Sequence, residues 1–287
     1  MRIGIGLPNT TPGATGELLL EWAKRAEELG FSTLGTIDRI AYSNFDSFVA
    51  LAAAGAVTER IGLLTNILLA PTRSTALLAK ESVSVDHVSN GRLSLGLGVG
   101  ARPDDYELAG FEFRDRGNRF DQQLAALREV FDGKALPGFD GQVAPPPVRP
   151  GGPRLIIGGT ADAAIRRTVE FGEGWTAGGA PPEAVAPFVQ RVREAWSEAG
   201  REGSPATYAL SYFGLGDDHL ETSMHSITAY YSFLGGREVQ VAEAVPRSAD
   251  VLRDRVKAYE DAEVDEVLWF PTVPDVDQVE LLAEAVL

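Results

Sequence analysis

From one end to the other the sequence alternates between short apolar runs and longer stretches whose apolar residues recur every three or four positions. A period that switches this way many times over reads as repeated strand–helix units, and few folds accommodate a long series of them. Ile3 to Leu7 is the first strand, closed by Pro8-Asn9; Leu18, Leu19, Trp22, Ala23, Ala26 and Leu29 then recur at helical spacing until Gly30 stops them. Thr33 to Ile37 is the second strand, with its helix over Phe48 to Val57. Ile61 to Ala70 is the third, followed by a helix over Thr75 to Val88, and Asn90-Gly91 turns the chain into the fourth, Leu93 to Val99. A long helical stretch, Asp104 to Phe131, is broken near Gly110 and Gly117. The remaining strands are Leu155 to Gly158, Gly174 to Ala177, Tyr208 to Leu215 and Glu266 to Phe270. Their helices cover Ala161 to Phe171, Pro182 to Ala199, Ser248 to Ala262 and Val276 to Val286, with another over Asp218 to Leu234. Eight strands alternating with helices predict an α/β fold, a single (β/α)8 barrel domain over residues 1–287, with an open doubly wound sheet as the alternative.

One segment breaks the alternation. Leu136 to Pro153 holds six of the 17 prolines, which excludes helix and central strand. A structureless loop of this length in a compact barrel is expected to be an active-site cover rather than a linker.

Composition then removes whole classes of function. The absence of cysteine excludes disulfides, thiolate catalysis and cysteine-ligated zinc. A net charge of −15 with no basic face argues against nucleic acid as a partner. No apolar run reaches membrane-spanning length and the start lacks a signal-peptide pattern, so no membrane association and a cytoplasmic location are expected. His87, His219 and His225 make no recognisable metal set, so no metal is expected, and neither a G-x-S-x-G elbow nor a Walker loop occurs.

Barrel chemistry sits at the C-terminal ends of the strands, which selects Pro8 and Asn9, Asp38 and Arg39, Thr65 to Arg73, Gly98 to Asp105, Gly158 to Thr160, Gly178 and Gly179, Leu215 to Asp217, and Pro271. Gly96-Leu97-Gly98-Val99-Gly100-Ala101 fits the dinucleotide fingerprint formally, but Pro103, Asp104 and Asp105 follow and would repel a phosphate there. It reads better as a small-residue strand that lets a planar ligand approach. Gly158-Gly159-Thr160 opens a helix, where free backbone N–H groups suit a phosphate and Thr160 equally suits an N-cap. Asp38-Arg39 is either a solvated ion pair or a polar pair facing a ligand.

Taken in order, several stretches resemble one known family: Ala23 to Phe31, Leu77 to Asp86, Ser89-Asn90-Gly91-Arg92-Leu93, Gly96 to Gly100, Asp105-Tyr106-Glu107, Arg116 to Asp121, Ile157-Gly158-Gly159, Gly172 to Trp175, and Val264 to Ala283. The chain is identified as a member of the luciferase-like monooxygenase family, which also contains F420-dependent oxidoreductases. The resemblance implies a barrel whose mouth holds FMN or coenzyme F420, with Gly158, Gly159 and Thr160 on the cofactor phosphate. It implies a ring backed by Thr65 and Asn66, where members carry a non-proline cis peptide, and a rim formed by Arg102 and Asp105. Many F420-dependent members have Asp-His after the second strand; here Asp38 precedes Arg39. A permanently charged guanidinium is no acid or base but stabilises an anionic reduced flavin. Asp38 and Arg39 are therefore the candidate catalytic pair, with Tyr212 and Phe213 shaping the substrate side. The leading expectation is a reduced-FMN-dependent monooxygenase of a small or medium organic substrate, its pocket sealed by the Leu136 to Pro153 loop. The alternatives are F420-dependent hydride transfer, with Arg73 and Arg102 near the polyglutamyl tail, and a non-catalytic flavin-binding barrel. A small-molecule substrate, a separate flavin reductase and a homodimer across early barrel helices are the implied partners.

Overall fold

The computed structural model describes all 287 residues, apart from the side chain of Asp217. Its parallel strands are β1 (Arg2–Gly6), β2 (Thr33–Thr36), β3 (Gly62–Thr65), β4 (Leu68–Leu69), β5 (Leu93–Gly98), β6 (Arg154–Gly158), β7 (Gly174–Thr176), β8 (Ala206–Phe213) and β9 (Glu266–Pro271). They hydrogen-bond in the order β3-β2-β1-β9-β8-β7-β6-β5-β4, and a further β3–β5 pairing closes the barrel. The eight-stave barrel expected from the alternation is present, and the open sheet is not. The third stave is split, because β4 resumes on β5 after β3 has ended. Leu64 pairs with Ser94 and Leu68 with Leu97, so four steps on one strand face three on the other. The third stave thus contains one extra residue, a bulge, and the non-proline cis peptide Asn66–Ile67 lies inside it. The cis bond is one residue later than the Thr65–Asn66 position expected from the resemblance.

Around the barrel run α1 (Gly16–Leu29), α2 (Ser47–Ala56), α3 (Thr75–Val88), α4 (Pro103–Ala109), α5 (Arg116–Phe131), α6 (Asp162–Phe171), α7 (Pro182–Glu198), α8 (Leu220–Tyr230), α9 (Glu238–Glu243), α10 (Ala249–Asp261) and α11 (Asp277–Val286). Local chemistry sets their ends. Thr15, Ser74 and Ser248 cap α1, α3 and α10 by accepting a bond from an N–H of the first turn. Gly30 ends α1 in the left-handed conformation, with φ 92°. The helical stretch over Asp104 to Phe131 is interrupted over 110–115, between Gly110, which ends α4, and Gly117 in the first turn of α5. The short α9 was not foreseen.

Two apolar layers hold the staves. Alternate strand residues such as Val267 and Trp269 face the helices in the larger core, while Leu268 and Phe270 fill the barrel with Tyr208, Leu210, Ile156 and Leu64. Burying a side chain like Phe270 contributes about 2–3 kcal/mol. The ring of Phe270 fits because β1 presents Gly6, where a Cβ would meet it at 2.2 Å. Gly96 is excluded from side-chain substitution for another reason: a Cβ there would lie 1.8 Å from the Thr65 carbonyl oxygen beside the bulge. Gly96 and Gly98 thus admit the neighbouring stave, while Gly100 lines a cavity at the mouth.

The proline-rich loop is at the wrong end to cover a site. Pro146 O meets the His87 ring nitrogen at 2.7 Å, the Val148 N–H donates to Asp86, and Arg149 donates to Leu93 O. Asp86 and His87 end α3 and Leu93 begins β5, so Leu136 to Pro153 closes the N-terminal end of the barrel. The physical reason is connectivity: a segment that follows a helix and precedes a strand emerges where strands begin.

Candidate active site

The mouth is covered by the long connection between β8 and α10, which carries α8 and α9. Tyr230, Tyr231 and Phe233 from this connection lean over the strand ends and roof a cavity of ≈ 310 Å³. Ile37, Leu210 and Ile67 supply its apolar surfaces, and Asp38, Asn66 and Arg102 its polar ones. The tyrosines hold one another in place. Tyr42 meets Tyr230 edge-on with centroids 5.3 Å apart, and Tyr230 meets Tyr231 at 5.0 Å. The hydroxyls of Tyr231 and Tyr212 are 2.9 Å apart. Burial pushes Tyr212 and Tyr230 well above the ordinary phenol range and Tyr231 above it too, so all three stay neutral near pH 7.

The charges at the mouth fall into two closed groups and one open one. Asp38 accepts from Arg73 Nη1 at 2.6 Å and Nη2 at 3.1 Å, and from the Leu69 N–H at 2.9 Å. Arg73 also reaches Asp46 at 3.1 Å. Burial alone would lower the Arg73 pKa, but Asp38 and then Asp46 hold it above its usual value. Arg39 Nε donates to both Asp105 oxygens, at 2.9 and 2.8 Å, and Nη2 reaches Asp104 at 3.1 Å. Asp105 further accepts the Ile40 and Ala41 N–H groups, so it organises the loop after β2.

Arg102 differs from both pairs. Only 8% exposed, it has no ion-pair partner among the described residues, and its Nη1 lacks any hydrogen bond. Its guanidinium lies 4.5 Å from the Tyr230 ring centroid and 3.9 Å from that of Phe233. Aromatic faces partly compensate a buried cation, but an unmade hydrogen bond to a charged donor remains costly. Asn66 shows the same signature, since its Oδ1 accepts from Thr176 while its buried Nδ2 has no partner.

Of the residues singled out from sequence, Asp38, Arg39, Asn66, Arg102 and Asp105 converge on this cavity. Thr65 does not line it; its hydroxyl donates to Gly96 O at 2.7 Å and ties β3 to β5. Arg73, placed near a cofactor tail, is instead held by Asp38. Tyr212 faces the cavity while Phe213 joins the outer core, as strand alternation requires. Gly158 borders Ile67, whereas Gly159 and Thr160 stand exposed outside the cavity. Thr160 is not a cap: α6 starts after Ala161 with no side chain bonded to its first N–H groups, and Gly159 has φ 130°. Ile67 falls inside the selected span Thr65 to Arg73, but sequence reasoning missed Tyr230, Tyr231 and Phe233. All three lie in a stretch whose helical period was legible but whose position over the mouth was not.

Chemically, this is a half-apolar slot with a cation and an amide donor left unpaired, walled by neutral phenols. No histidine lines it, and no group of side chains suited to a metal ion occurs among the described residues. Proton transfer by an internal acid–base pair is poorly served; holding a planar anionic molecule is well served. No helix among the described residues is long and apolar enough to cross a membrane.

Comparison with known proteins agrees with this architecture. The sequence profile of the luciferase-like monooxygenase family matches residues 1–268. The uncharacterized protein Rv0940c of Mycobacterium tuberculosis is 31% identical over 229 residues, covering 69% of this chain and 78% of its own. Among solved structures, monooxygenase RslO1 from Streptomyces bottropensis superposes with a TM-score of 0.84 at 23% identity, over 99% of this chain and 98% of its own. An F420-dependent secondary alcohol dehydrogenase, in complex with an F420-acetone adduct, superposes at 0.78 with 15% identity over the same shares. The chain belongs to the luciferase-like monooxygenase family.

Proposed function

We propose that the protein is a flavin-dependent oxidoreductase, a monooxygenase that uses reduced FMN on a small or medium organic substrate. The observation that carries the reading is Arg102, a buried cation without a counter-ion, beside the unpaired amide of Asn66 in the same cavity. An anionic planar cofactor satisfies both. Bound reduced FMN would supply the electrons for dioxygen activation, with one oxygen atom going to substrate and the other leaving as water. Asn66 and Ile67 would back the ring and Arg102 would balance its negative charge. The uncapped N–H groups of α6, with Gly158, Gly159 and Thr160, would take the phosphate. Asp38 and Arg39 would act by position, since Arg73 and Asp105 fix them in place. The neutral tyrosines exclude water.

In this reading reduced flavin is delivered by a separate reductase, and the exposed Val49 of α2 with Leu77 and Val88 of α3 suits a homodimer. Eight complete staves count against a degenerate, non-catalytic barrel.

Calorimetric titration with oxidised and reduced FMN, and with F420 in both states, tests the proposal. Reduced FMN should bind tightest, and Arg102→Gln should weaken it about tenfold or more without lowering Tm. Tight F420 binding with weak FMN binding would replace monooxygenation with hydride transfer. Failure of both cofactors to bind would remove the reading.

A further inference from the structure

Behind the wall of the cofactor cavity lies a second hollow of ≈ 400 Å³. Gly179 and Tyr212 belong to both, so one backbone turn and one phenol separate them. Leu234, Val241, Val245 and Pro246 make the second hollow apolar on the side of the mouth connection. Facing that apolar surface are Arg237 and Arg255, and no carboxylate lines the hollow among the described residues. The chain has 41 acidic side chains against 26 basic ones, and other arginines at the mouth, Arg39 and Arg73, are each held by two of them. Neither Arg237 nor Arg255 makes an ion pair among the described residues. Arg237 is exposed and Arg255 half-buried, so both guanidinium groups are reachable at the edge of the apolar surface and are free to take an anion from outside.

We infer that this hollow is the substrate subsite, and that the substrate is an amphiphile: an apolar body of medium size carrying one carboxylate or sulfonate. The inference rests on the proposed flavin chemistry, because it places the apolar body against the Tyr212 wall and the anionic head on Arg237 and Arg255. The Tyr212 phenol, its hydroxyl held by Tyr231, then borders both the substrate's apolar body and the ring cavity. The apolar lining selects against small inorganic anions, and the paired cations select against neutral and cationic analogues.

The test is calorimetry on the full chain with octanoate, octan-1-ol, octylammonium and inorganic phosphate. Octanoate should bind about tenfold or more tightly than octan-1-ol, while octylammonium gives no measurable heat and phosphate gives none that depends on Arg237 and Arg255. The double variant Arg237→Gln/Arg255→Gln should lose the preference for octanoate but keep its affinity for octan-1-ol, and Arg255→Lys with Arg237 intact should retain the preference. Equal affinities for octanoate and octan-1-ol, phosphate binding that the double variant abolishes, or a preference that survives the double variant would each overturn the assignment. FMN and F420 titrations on the same protein keep the two proposals separate: loss of cofactor binding with octanoate selectivity intact overturns the flavin reading alone.

Discussion

The barrel is interrupted at both ends, and the two interruptions behave oppositely. At the bottom, Leu136 to Pro153 settles onto α3 and the start of β5 through single hydrogen bonds donated by Val148 and Arg149 and one accepted by the Pro146 carbonyl. At the mouth, the connection carrying α8 and α9 places three tyrosine and phenylalanine rings against two arginines and bounds two cavities. Each of these long segments departs from minimal barrel connectivity, but only the second brings unsatisfied charge to a concave surface. Length and lack of regular structure therefore say little about function; Arg149 Nε and Asp86 Oδ1 at the bottom also lack partners, and what marks the working end is that its partnerless groups, on Arg102 and Asn66, line a cavity.

This contrast can be broken by experiment, and the largest effect is expected at the mouth. Asp105→Ala should cost about 3–5 kcal/mol, because it leaves the Arg39 guanidinium buried with only exposed Asp104 opposite. Chemical denaturation measures this, and a loss below about 1 kcal/mol would show that the mouth charges are not structurally coupled. The bottom gives the counterpart: Arg149→Ala, which removes one 3.3 Å bond to Leu93 O, should cost about 1 kcal/mol. FMN affinity should be unaffected there, and a weakened cofactor would erase the distinction between the two ends. The smallest effect concerns pH. Burial raises the Tyr212, Tyr230 and Tyr231 pKa values above those of the unfolded chain, so the folded state holds these protons more tightly. Their contribution is fully present below the unfolded value, about 10, and is lost as pH rises beyond it toward the folded values. Phenolate absorbance should therefore show these tyrosines titrating together with unfolding, and independent titration near pH 10 would mean the roof is open.

Much of this architecture was legible because it is periodic. The change from strand to helix spacing, punctuated by Gly30, Asn90-Gly91 and the prolines, located eight staves within a residue or two of their observed ends. What pairs across the fold was not legible: Arg39 and Asp105 are 66 positions apart, and nothing in either neighbourhood announces their contact. The orphaned state of Arg102 is likewise a property of three dimensions, since it consists of partners that fail to arrive. The misplacement of the proline-rich loop differs in kind. Composition identified it as irregular, and its order after α5 and before β6 already contained the information that it lies at the bottom. Helix α9, six residues long, fell below the length at which a helical period stands out.

The extra residue in the third stave has one more consequence. Below it, Leu64 points into the barrel; above it, Leu68 joins the outer core while Asn66, Ile67 and Leu69 face the mouth cavity. The inward-facing set thus changes parity partway along a single stave, from even numbers to odd. The lower half is in phase with the folding core, the upper half with the chemistry. Removing one residue between Thr65 and Leu68 would bring both halves into one phase, with three steps facing three along β5, Leu64 and Leu69 inward and Leu68 outward. Because the phases are independent, positions 67 and 69 are free to vary with the ligand while Leu64 continues to answer only to the barrel.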